Sequence, residues 1–294
     1  MFASQAELKQ LLVHLRFAFS FFLLPVFLFA VANDLPSWAS IVPLFIILHL
    51  LVYPSSNGFN SLMDRDTESI GGIEHPQPVP EKMRVLTLFM DLVSLMLTWW
   101  FYGLPLVGLV ALYIVASRAY SMRSIRLKRF PVIGYLVVVV FQGAWIFMLT
   151  HVAIQGSFVR EPSTLLGMAA SLFMIGASYP LTQVYQHKQD LQDGVKTLSY
   201  VLGLRGTFLF AGLMFSGFVA SMAAYISLRF DSLMPLVALL VITAPTATYF
   251  GQWGLKVWKD SKEANYKNTM KMSKIGSLSM NAYFLFLLIF ASIT

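Results

Sequence analysis

Apolar stretches of about 20 residues recur along nearly the whole chain, separated by short polar segments. A stretch of that length lets an α-helix cross the hydrocarbon core of a bilayer. The pattern therefore predicts an all-α, polytopic membrane protein with one transmembrane domain over residues 1–294. We expect nine spans, at 11–32, 39–56, 84–103, 104–119, 131–153, 163–186, 204–227, 232–252 and 274–293.

The basic residues set the expected orientation, because Lys and Arg resist translocation across the membrane. With the N-terminus inside, every Lys and Arg except Arg160 and Arg229 falls in or next to a cytoplasmic segment. The N-terminal residues 1–10 are polar and lack a signal-peptide cleavage pattern, so the first span is expected to be retained. The N-terminus is thus expected in the cytoplasm and the C-terminus outside.

Composition narrows the functional classes. Only 12% of the residues are charged, whereas a soluble domain would carry about a quarter. The absence of Cys excludes disulfides, thiolate metal sites and Cys nucleophiles. The net charge of +7 is attributed to membrane orientation, so the expected partner is the lipid bilayer and not nucleic acid.

A first polar stripe follows the second span. Asn60, Asp64 and Glu68 are spaced four residues apart, which would place them on one face of a continuous helix, with Asp66 between them. Mg²⁺ takes one or two carboxylates and fills its other positions with water and phosphate. The stripe is therefore either a magnesium site or a solvated end of an amphipathic helix.

A second polar stripe ends the sixth span on the same side. Gln186 and Asp190 repeat the four-residue spacing, with Asp193 off the stripe. Two stripes facing one cavity could hold a diphosphate through metal ions, while Lys188 or Lys196 neutralises phosphate charge. Two such stripes on one side are less easily explained as solvated helix ends than either alone.

Between the stripes lies a basic segment that includes Arg126 and Lys128. Contact with lipid headgroups is the common use of such a cluster; binding of phosphate is the alternative. Arg16 and Asp91 lie within predicted spans near their cytoplasmic ends, and either snorkelling or a place at the polar end of a cavity would explain them.

In combination, these segments resemble the UbiA-type intramembrane prenyltransferases. Asn60, Asp64 and Glu68 match the first family motif, NDxxDxxxD, while Gln186, Asp190, Gly194, Lys196 and Thr197 correspond to the second, DxxxD followed by Gly and a Lys/Thr pair. The segment with Tyr120, Ser121, Arg126, Leu127 and Lys128 looks like the basic signature after the fourth helix. The resemblance covers almost the whole chain and implies nine helices around a central cavity. The Tyr-Gln-His-x-x-Asp form of the second motif, at residues 185–190, resembles a bacterial subgroup of the family and implies a bacterial inner membrane.

The resemblance also implies a chemistry. Asp64 and Asp190 would be the catalytic residues, and the expected magnesium ligands are Asn60, Asp64, Glu68, Gln186 and Asp190. The expected diphosphate contacts are Tyr120, Arg126, Lys128, Lys188 and Lys196, with Arg16, Asp66 and Asp193 as further candidates. The enzyme would transfer a prenyl group from a prenyl diphosphate to a small lipophilic or aromatic acceptor, with its active site on the cytoplasmic side.

Departures from the motifs leave alternatives open. Ser61 stands where the first motif often has Asp, Glu68 replaces its last Asp, and Gln186 replaces the first Asp of the second motif. Gln186 removes one negative ligand, so a non-catalytic isoprenoid-binding protein is one alternative. Other acceptors, such as a porphyrin or a glycerol-phosphate lipid, or cyclisation of the substrate, are further ones. A transporter is disfavoured because the span centres nearly lack charged residues.

Overall fold

The structure is a computed structural model that describes residues 4–294. Over this range the chain forms helices joined by loops, and its one β-type contact is an isolated bridge between Ile70 and Ile73. The prediction of an all-α membrane protein is confirmed.

Thirteen α-helices follow one another within residues 4–294. They are α1 (Gln5–Leu15), α2 (Leu24–Asp34), α3 (Trp38–Phe45), α4 (Tyr53–Asp64), α5 (Met83–Tyr102), α6 (Leu104–Ser121), α7 (Pro131–Val139), α8 (Ile146–Gln155), α9 (Pro162–Ser178), α10 (His187–Gln192), α11 (Leu198–Arg229), α12 (Met234–Lys259) and α13 (Tyr266–Ile293). Short π-helical segments join α3 to α4 (Ile46–Val52) and α7 to α8 (Val140–Trp145), so each pair runs on as one long helix.

Eight helical segments in the described part of the chain are long and apolar enough to cross a membrane: Trp38–Asp64, Met83–Tyr102, Leu104–Ser121, Pro131–Gln155, Pro162–Gln183, Leu198–Arg229, Met234–Lys259 and Tyr266–Ile293. The pair Gln5–Phe22 and Leu24–Asp34, bent by 45°, forms a ninth. This agrees with the nine predicted spans, including the boundary at Gly103 between α5 and α6.

The first span is broken where its sequence contains Arg16 and Pro25. Arg16 adopts a left-handed conformation (φ 49°) and ends α1, and a 3₁₀ turn over Phe17–Phe22 follows it. Pro25 lies at the start of α2, where its missing N–H costs no helical hydrogen bond. The break therefore depends on the conformation of single residues, which an apolar count does not register.

Two spans begin earlier than predicted. The span predicted at 204–227 begins at Leu198 and bends at Gly203, whose φ of 67° suits glycine. The span predicted at 274–293 begins at Tyr266, with the side chain of Asn265 accepting a hydrogen bond from the backbone N–H of Asn268. Apolar runs mark the part of a helix within the bilayer, whereas capping residues mark its end.

The helices pack closely around a cavity. Helix α9 contacts α11 and the π-helical segment after α7, while α13 contacts α2 and α12. At Gly143 the π-helical segment approaches α9 so closely that a Cβ would lie 2.7 Å from the carbonyl oxygen of Ser171. Helix α4 packs against α5 and α6, and residues of its last turn line the same cavity as residues of α10.

Candidate active site

The last two turns of α4 carry Asn60 and Asp64 into the cavity wall. The side-chain amide of Asn60 donates to Asp64 Oδ2 at 2.8 Å and to Ser121 Oγ at 3.0 Å. The four-residue spacing thus places the two side chains together, as the sequence predicts. Ser121, at the end of α6, fixes the orientation of the amide.

The third member of the predicted stripe is not on this helix. Helix α4 ends at Asp64, because Arg65 turns into the left-handed region (φ 53°) and its N–H bonds back to the Ser61 carbonyl. Glu68 is exposed and does not line the cavity, so the prediction of a three-residue helical face was wrong. Asp66, in the loop, lines the cavity instead.

Asp64 is a buried carboxylate with one oxygen paired and one free. Lys128 Nζ lies 2.5 Å from Asp64 Oδ2, and both side chains are almost fully buried. Oδ1 makes no hydrogen bond, and Arg126 Nη2 lies 3.7 Å from it. A buried carboxylate oxygen without a partner is costly unless a ligand or ion satisfies it.

The second polar segment has a different local structure from the predicted one. Helix α9 ends at Ser178, a 3₁₀ turn follows, and Gln186 is the N-terminal cap of the short helix α10. Gln186 and Asp190 still meet at the cavity, and the Asp190 N–H bonds to the Gln186 carbonyl at 2.9 Å. They lie on a separate helical turn rather than on the end of the sixth span.

Two hydrogen bonds join this segment to the loop after α4. Gln189 donates to Asp66 Oδ1 at 2.7 Å, and Gln186 donates to the Ser69 carbonyl at 3.3 Å. Gln189 lines the cavity and was missed from sequence. Its position three residues after Gln186, and so on a neighbouring part of the same helical face, is the signal that could have identified it.

Burial gives two of the carboxyl groups unusual proton affinities. Burial, together with the nearby Asp66, Asp64 and Asp193 and against the opposing effect of Lys128, raises the pKa of Asp190 to about 7. Burial and the charge of Asp64 raise the pKa of Asp66 to about 6, against the opposing effects of Lys128 and Arg16. Carboxylates crowded in a water-poor site hold protons that a cation would displace.

The basic residues predicted to bind diphosphate divide into two groups. Lys128 and Tyr120 line the cavity, and the hydroxyl of Tyr120 is hydrogen-bonded to that of Tyr179. Lys188 and Lys196 are exposed and do not line it, since α10 and the turn after it point these side chains outward. The lining of the cavity gives no support to their predicted contact with a diphosphate, which stays a prediction.

Arg126 is buried and does not line the cavity, so its direct contact with a diphosphate stays a prediction. Its guanidinium contacts the carboxylate of Asp193 and donates to the Asp193 carbonyl at 3.0 Å. The left-handed backbone of Arg126 (φ 50°) turns its side chain toward Asp193. Asp193 itself lines the cavity.

Of the two charged residues noted within spans, only Arg16 lines the cavity. Its guanidinium donates to the carbonyl oxygens of Asn57 (3.0 Å) and Gly71 (3.3 Å). Asp91 instead forms a buried ion pair with Arg118 on α6, which explains its position without snorkelling or a place in the cavity. Arg118 also lies 4.0 Å above the ring of Phe59.

The cavity has a volume of about 390 Å³ and two kinds of wall. One end carries the carboxylates, amides and Lys128 described above. Away from that end the lining is mainly apolar and aromatic, from several helices: Phe22, Tyr113, Val138, Phe141, Met174, Phe215, Phe250 and Met280. A charged headgroup attached to a hydrocarbon chain would match both walls.

The donor set at the polar end fits Mg²⁺. Among residues 4–294, no three acidic, His or Cys side chains are close enough to form a preassembled cluster. However, Asp64, Asp66 and Asp190 share the cavity with the amides of Asn60 and Gln189. These are hard oxygen donors, and Mg²⁺ commonly completes so sparse a set with water and phosphate. The unpartnered oxygen of Asp64 is the observation that favours a bound cation.

Sequence comparison places the chain among known proteins. A model of the UbiA prenyltransferase family matches residues 19–275, most of the chain. The chain belongs to the UbiA prenyltransferase family. Members of this family are integral membrane prenyltransferases. No curated protein sequence gives a significant match.

Solved structures of UbiA-family proteins have the same fold. A UbiA homologue from Archaeoglobus fulgidus bound to GPP and Mg²⁺ superposes with a TM-score of 0.65 at 18% identity, covering 95% of this chain and 99% of that one. The same homologue bound to DMAPP and Mg²⁺ gives 0.62 at 17%. A structure of digeranylgeranylglyceryl phosphate synthase gives 0.62 at 17%, covering 99% of this chain and 100% of that one.

Proposed function

We propose that this UbiA-family protein transfers a prenyl group from a prenyl diphosphate to a small aromatic acceptor, within the membrane and with Mg²⁺. The observation that carries the proposal is the cavity, in which carboxylates and a lysine at one end meet an apolar wall at the other. The A. fulgidus homologue binds GPP or DMAPP with Mg²⁺. Each of these prenyl diphosphates has a charged headgroup, which suits the polar end of this cavity, and a hydrocarbon chain, which suits its apolar wall.

In this proposal the headgroup lies at the polar end. Asp64, Asp66 and Asp190 would hold Mg²⁺, with the amide side chains of Asn60 and Gln189 in the same wall. When bound, Mg²⁺ neutralises negative charge on the diphosphate and favours its departure. Lys128 donates to a phosphate oxygen, and its charge stabilises the leaving group as the carbon–oxygen bond breaks.

The apolar wall has two tasks. It binds the hydrocarbon chain, and it keeps water away from the allylic cation that remains when diphosphate leaves with the bonding electrons. The acceptor ring attacks this cation, a new carbon–carbon bond forms, and the ring carbon releases its proton. Aromatic residues such as Phe141, Phe215 and Phe250 offer π-faces to both the cation and the ring.

The orientation proposed from the basic residues puts the polar end of the cavity on the cytoplasmic side. The exposed Lys188 and Lys196 then face the cytoplasm beside α10. A water-soluble diphosphate product would leave on the same side.

One observation favours a second candidate, a non-catalytic isoprenoid-binding protein. Gln186 is neutral, and its amide is engaged with the Ser69 carbonyl rather than with a neighbouring acid. The site therefore has one negative ligand fewer than the second family motif provides. A binder would keep the cavity and its affinity for a prenyl diphosphate without releasing diphosphate.

Incubation of the purified protein with Mg²⁺, radiolabelled geranyl diphosphate and a panel of acceptors tests both candidates. We expect acceptor-dependent release of inorganic diphosphate. In Asp64→Ala the rate should fall below about one hundredth of wild type, since loss of even a partner of a metal ligand costs about 10- to 100-fold. Asp231→Ala, at an exposed aspartate outside the cavity, is the matched control.

Two results would decide against transfer. An active Asp64→Ala protein with a normal thermal transition would contradict the assignment of the site. Tight Mg²⁺-dependent binding of geranyl diphosphate with no release of diphosphate for any acceptor would favour the binding protein.

A further inference from the structure

Arg126 connects the two acidic segments of the site. Its guanidinium contacts the Asp193 carboxylate through Nη2, and Nη1 donates to the Asp193 carbonyl at 3.0 Å. The same Nη2 lies 3.7 Å from Asp64 Oδ1, at the end of α4. One side chain thus reaches a carboxylate from the segment after α10 and a carboxylate from α4.

Arg126 makes these contacts behind the cavity wall. Asp193 and Lys128 line the cavity, whereas Arg126 does not, although 91% of its surface is buried. A phosphate group in the cavity would meet Lys128 directly, whereas the guanidinium of Arg126 is already engaged by Asp193. The positions of the two cations therefore suggest different tasks.

We infer that Arg126 is a positioning residue that holds Asp193 and Asp64 at a fixed separation, so that the acidic segments face one metal-bound diphosphate. The catalytic benefit of this positioning rests on the proposed function. The contact between Arg126 and Asp193 can be tested without substrate. Lys128 is then the cation that touches phosphate.

Arg123 reinforces the same junction from the surface. Its guanidinium donates to the Met63 carbonyl at 2.7 Å and to the Asp64 carbonyl at 3.3 Å, which satisfies carbonyls at the C-terminus of α4. Its Nη1 lies 3.4 Å from Asp193 Oδ1. Because half of the Arg123 side chain is exposed, we expect its contribution to be smaller than that of Arg126.

The hydrogen bonds that the two glutamines make between the segments cannot replace this contact. The hydrogen bonds from Gln186 to Ser69 and from Gln189 to Asp66 both reach the loop after α4, not the helix that carries Asp64. A guanidinium also offers several N–H donors in a rigid plane, so it can fix two partners at once. Lysine, with a flexible stem and a point charge, cannot.

A double-mutant cycle tests the inference with full-length protein and a non-hydrolysable geranyl thiolodiphosphate, measured by titration calorimetry. Arg126→Gln and Asp193→Asn should each raise the Mg²⁺ concentration for half-saturation by about tenfold. The double variant should be no worse than the worse single one, because both changes remove one contact. At saturating Mg²⁺, affinity for the analogue should change less than about threefold.

The opposite pattern would overturn the inference. If Arg126 binds phosphate directly, Arg126→Gln weakens the analogue even at saturating Mg²⁺, and its effect adds to that of Asp193→Asn. Arg126→Lys keeps the charge but loses the planar donors, so we expect it to resemble Arg126→Gln; wild-type behaviour would contradict positioning. Arg129→Gln, at an exposed neighbour, is the matched control and should leave both quantities unchanged.

Hydrogen exchange on unliganded protein separates the inference from the proposed function. Arg126→Gln and Asp193→Asn should each speed exchange of amides after α10, including Val195, whose N–H bonds to the Asp190 carbonyl at 2.7 Å. Unchanged exchange rates in both variants would overturn the inference that Arg126 positions Asp193. Failure of wild-type protein to bind the analogue would instead count against the proposed function, and the exchange experiment would still decide the contact.

Discussion

The raised pKa values of Asp190 and Asp66 predict that Mg²⁺ binding depends on pH. The perturbation is a change from about pH 8 to about pH 6, across the pKa of Asp190 at about 7 and that of Asp66 at about 6. Each carboxyl group must lose its proton before it binds the cation. Acidification therefore weakens Mg²⁺ binding, and raising the pH strengthens it.

The magnitude follows from the protonated fractions. Between about pH 8 and pH 6, protonation of Asp190 should raise the half-saturating Mg²⁺ concentration about tenfold, and protonation of Asp66 about twofold, for a combined change of about 20-fold. In Asp190→Asn, binding should be weaker at pH 8, and the remaining dependence on pH should be only about twofold. Asp231→Asn, outside the cavity, should keep the wild-type dependence.

The assay is a thermal-shift titration of purified protein with MgCl₂ alone, which needs no substrate. It also gives a second readout. Because the folded-state pKa of Asp190 lies above its unfolded value, metal-free protein loses stability as pH rises through about 7. Asp190→Asn should therefore raise the Tm of metal-free protein at about pH 8 while weakening Mg²⁺ binding. A wild-type half-saturation that varies less than about twofold, or an Asp190→Asn variant with the full wild-type slope, would refute the reasoning.

Three further variants each test one contact, which sets whether binding or stability should rise or fall. Lys128→Met should weaken binding of geranyl thiolodiphosphate at saturating Mg²⁺ by about 10- to 100-fold, because it removes one charge-assisted hydrogen bond. An unchanged affinity in calorimetry would exclude Lys128 from the phosphate site. Asp91→Ala should lower the unfolding free energy by about 3–5 kcal/mol, because Arg118 is left buried without its carboxylate. Adding Arg118→Met to this variant should recover part of the lost Tm. No recovery would argue against an isolated ion pair. Gln186→Asp should weaken Mg²⁺ binding in the thermal-shift titration, since a carboxylate cannot donate to the Ser69 carbonyl; tighter binding would show that charge matters more than this hydrogen bond.

Much of the fold follows from the apolar pattern, because both depend on the thickness of the bilayer. The nine spans and the short break at Gly103 were predictable on that basis. Helix ends depend on single residues instead. A left-handed Arg65 ends α4, and a left-handed Arg16 breaks the first span. Arginine has no strong preference for that conformation, so neither event could be predicted from sequence.

The difference between residues within a helix and residues beyond its end also explains which site residues the sequence predicted correctly. Asn60 and Asp64 lie within α4, so their spacing predicted their contact. Glu68 lies beyond the helix end, and the loop brings Asp66 to the cavity in its place. In the basic segment, the sequence alone does not distinguish the roles of Arg126 and Lys128. The left-handed turn at Arg126 directs one side chain to Asp193 and leaves the other facing the cavity. The ligand roles of these residues stay predictions.

The neutral Gln186 is consistent with the electrostatics around it. Asp64, Asp66, Asp190 and Asp193 already share one end of the cavity, and the pKa of Asp190 is raised to about 7. A fifth carboxylate would raise the pKa values of Asp190 and Asp66 further and would make the metal-free fold less stable at neutral pH. Glutamine avoids that repulsion, retains a carbonyl oxygen for a cation, and uses its N–H group to join the two polar segments through Ser69. The departure from the family motif therefore exchanges one unit of ligand charge for a contact that helps to hold the site together.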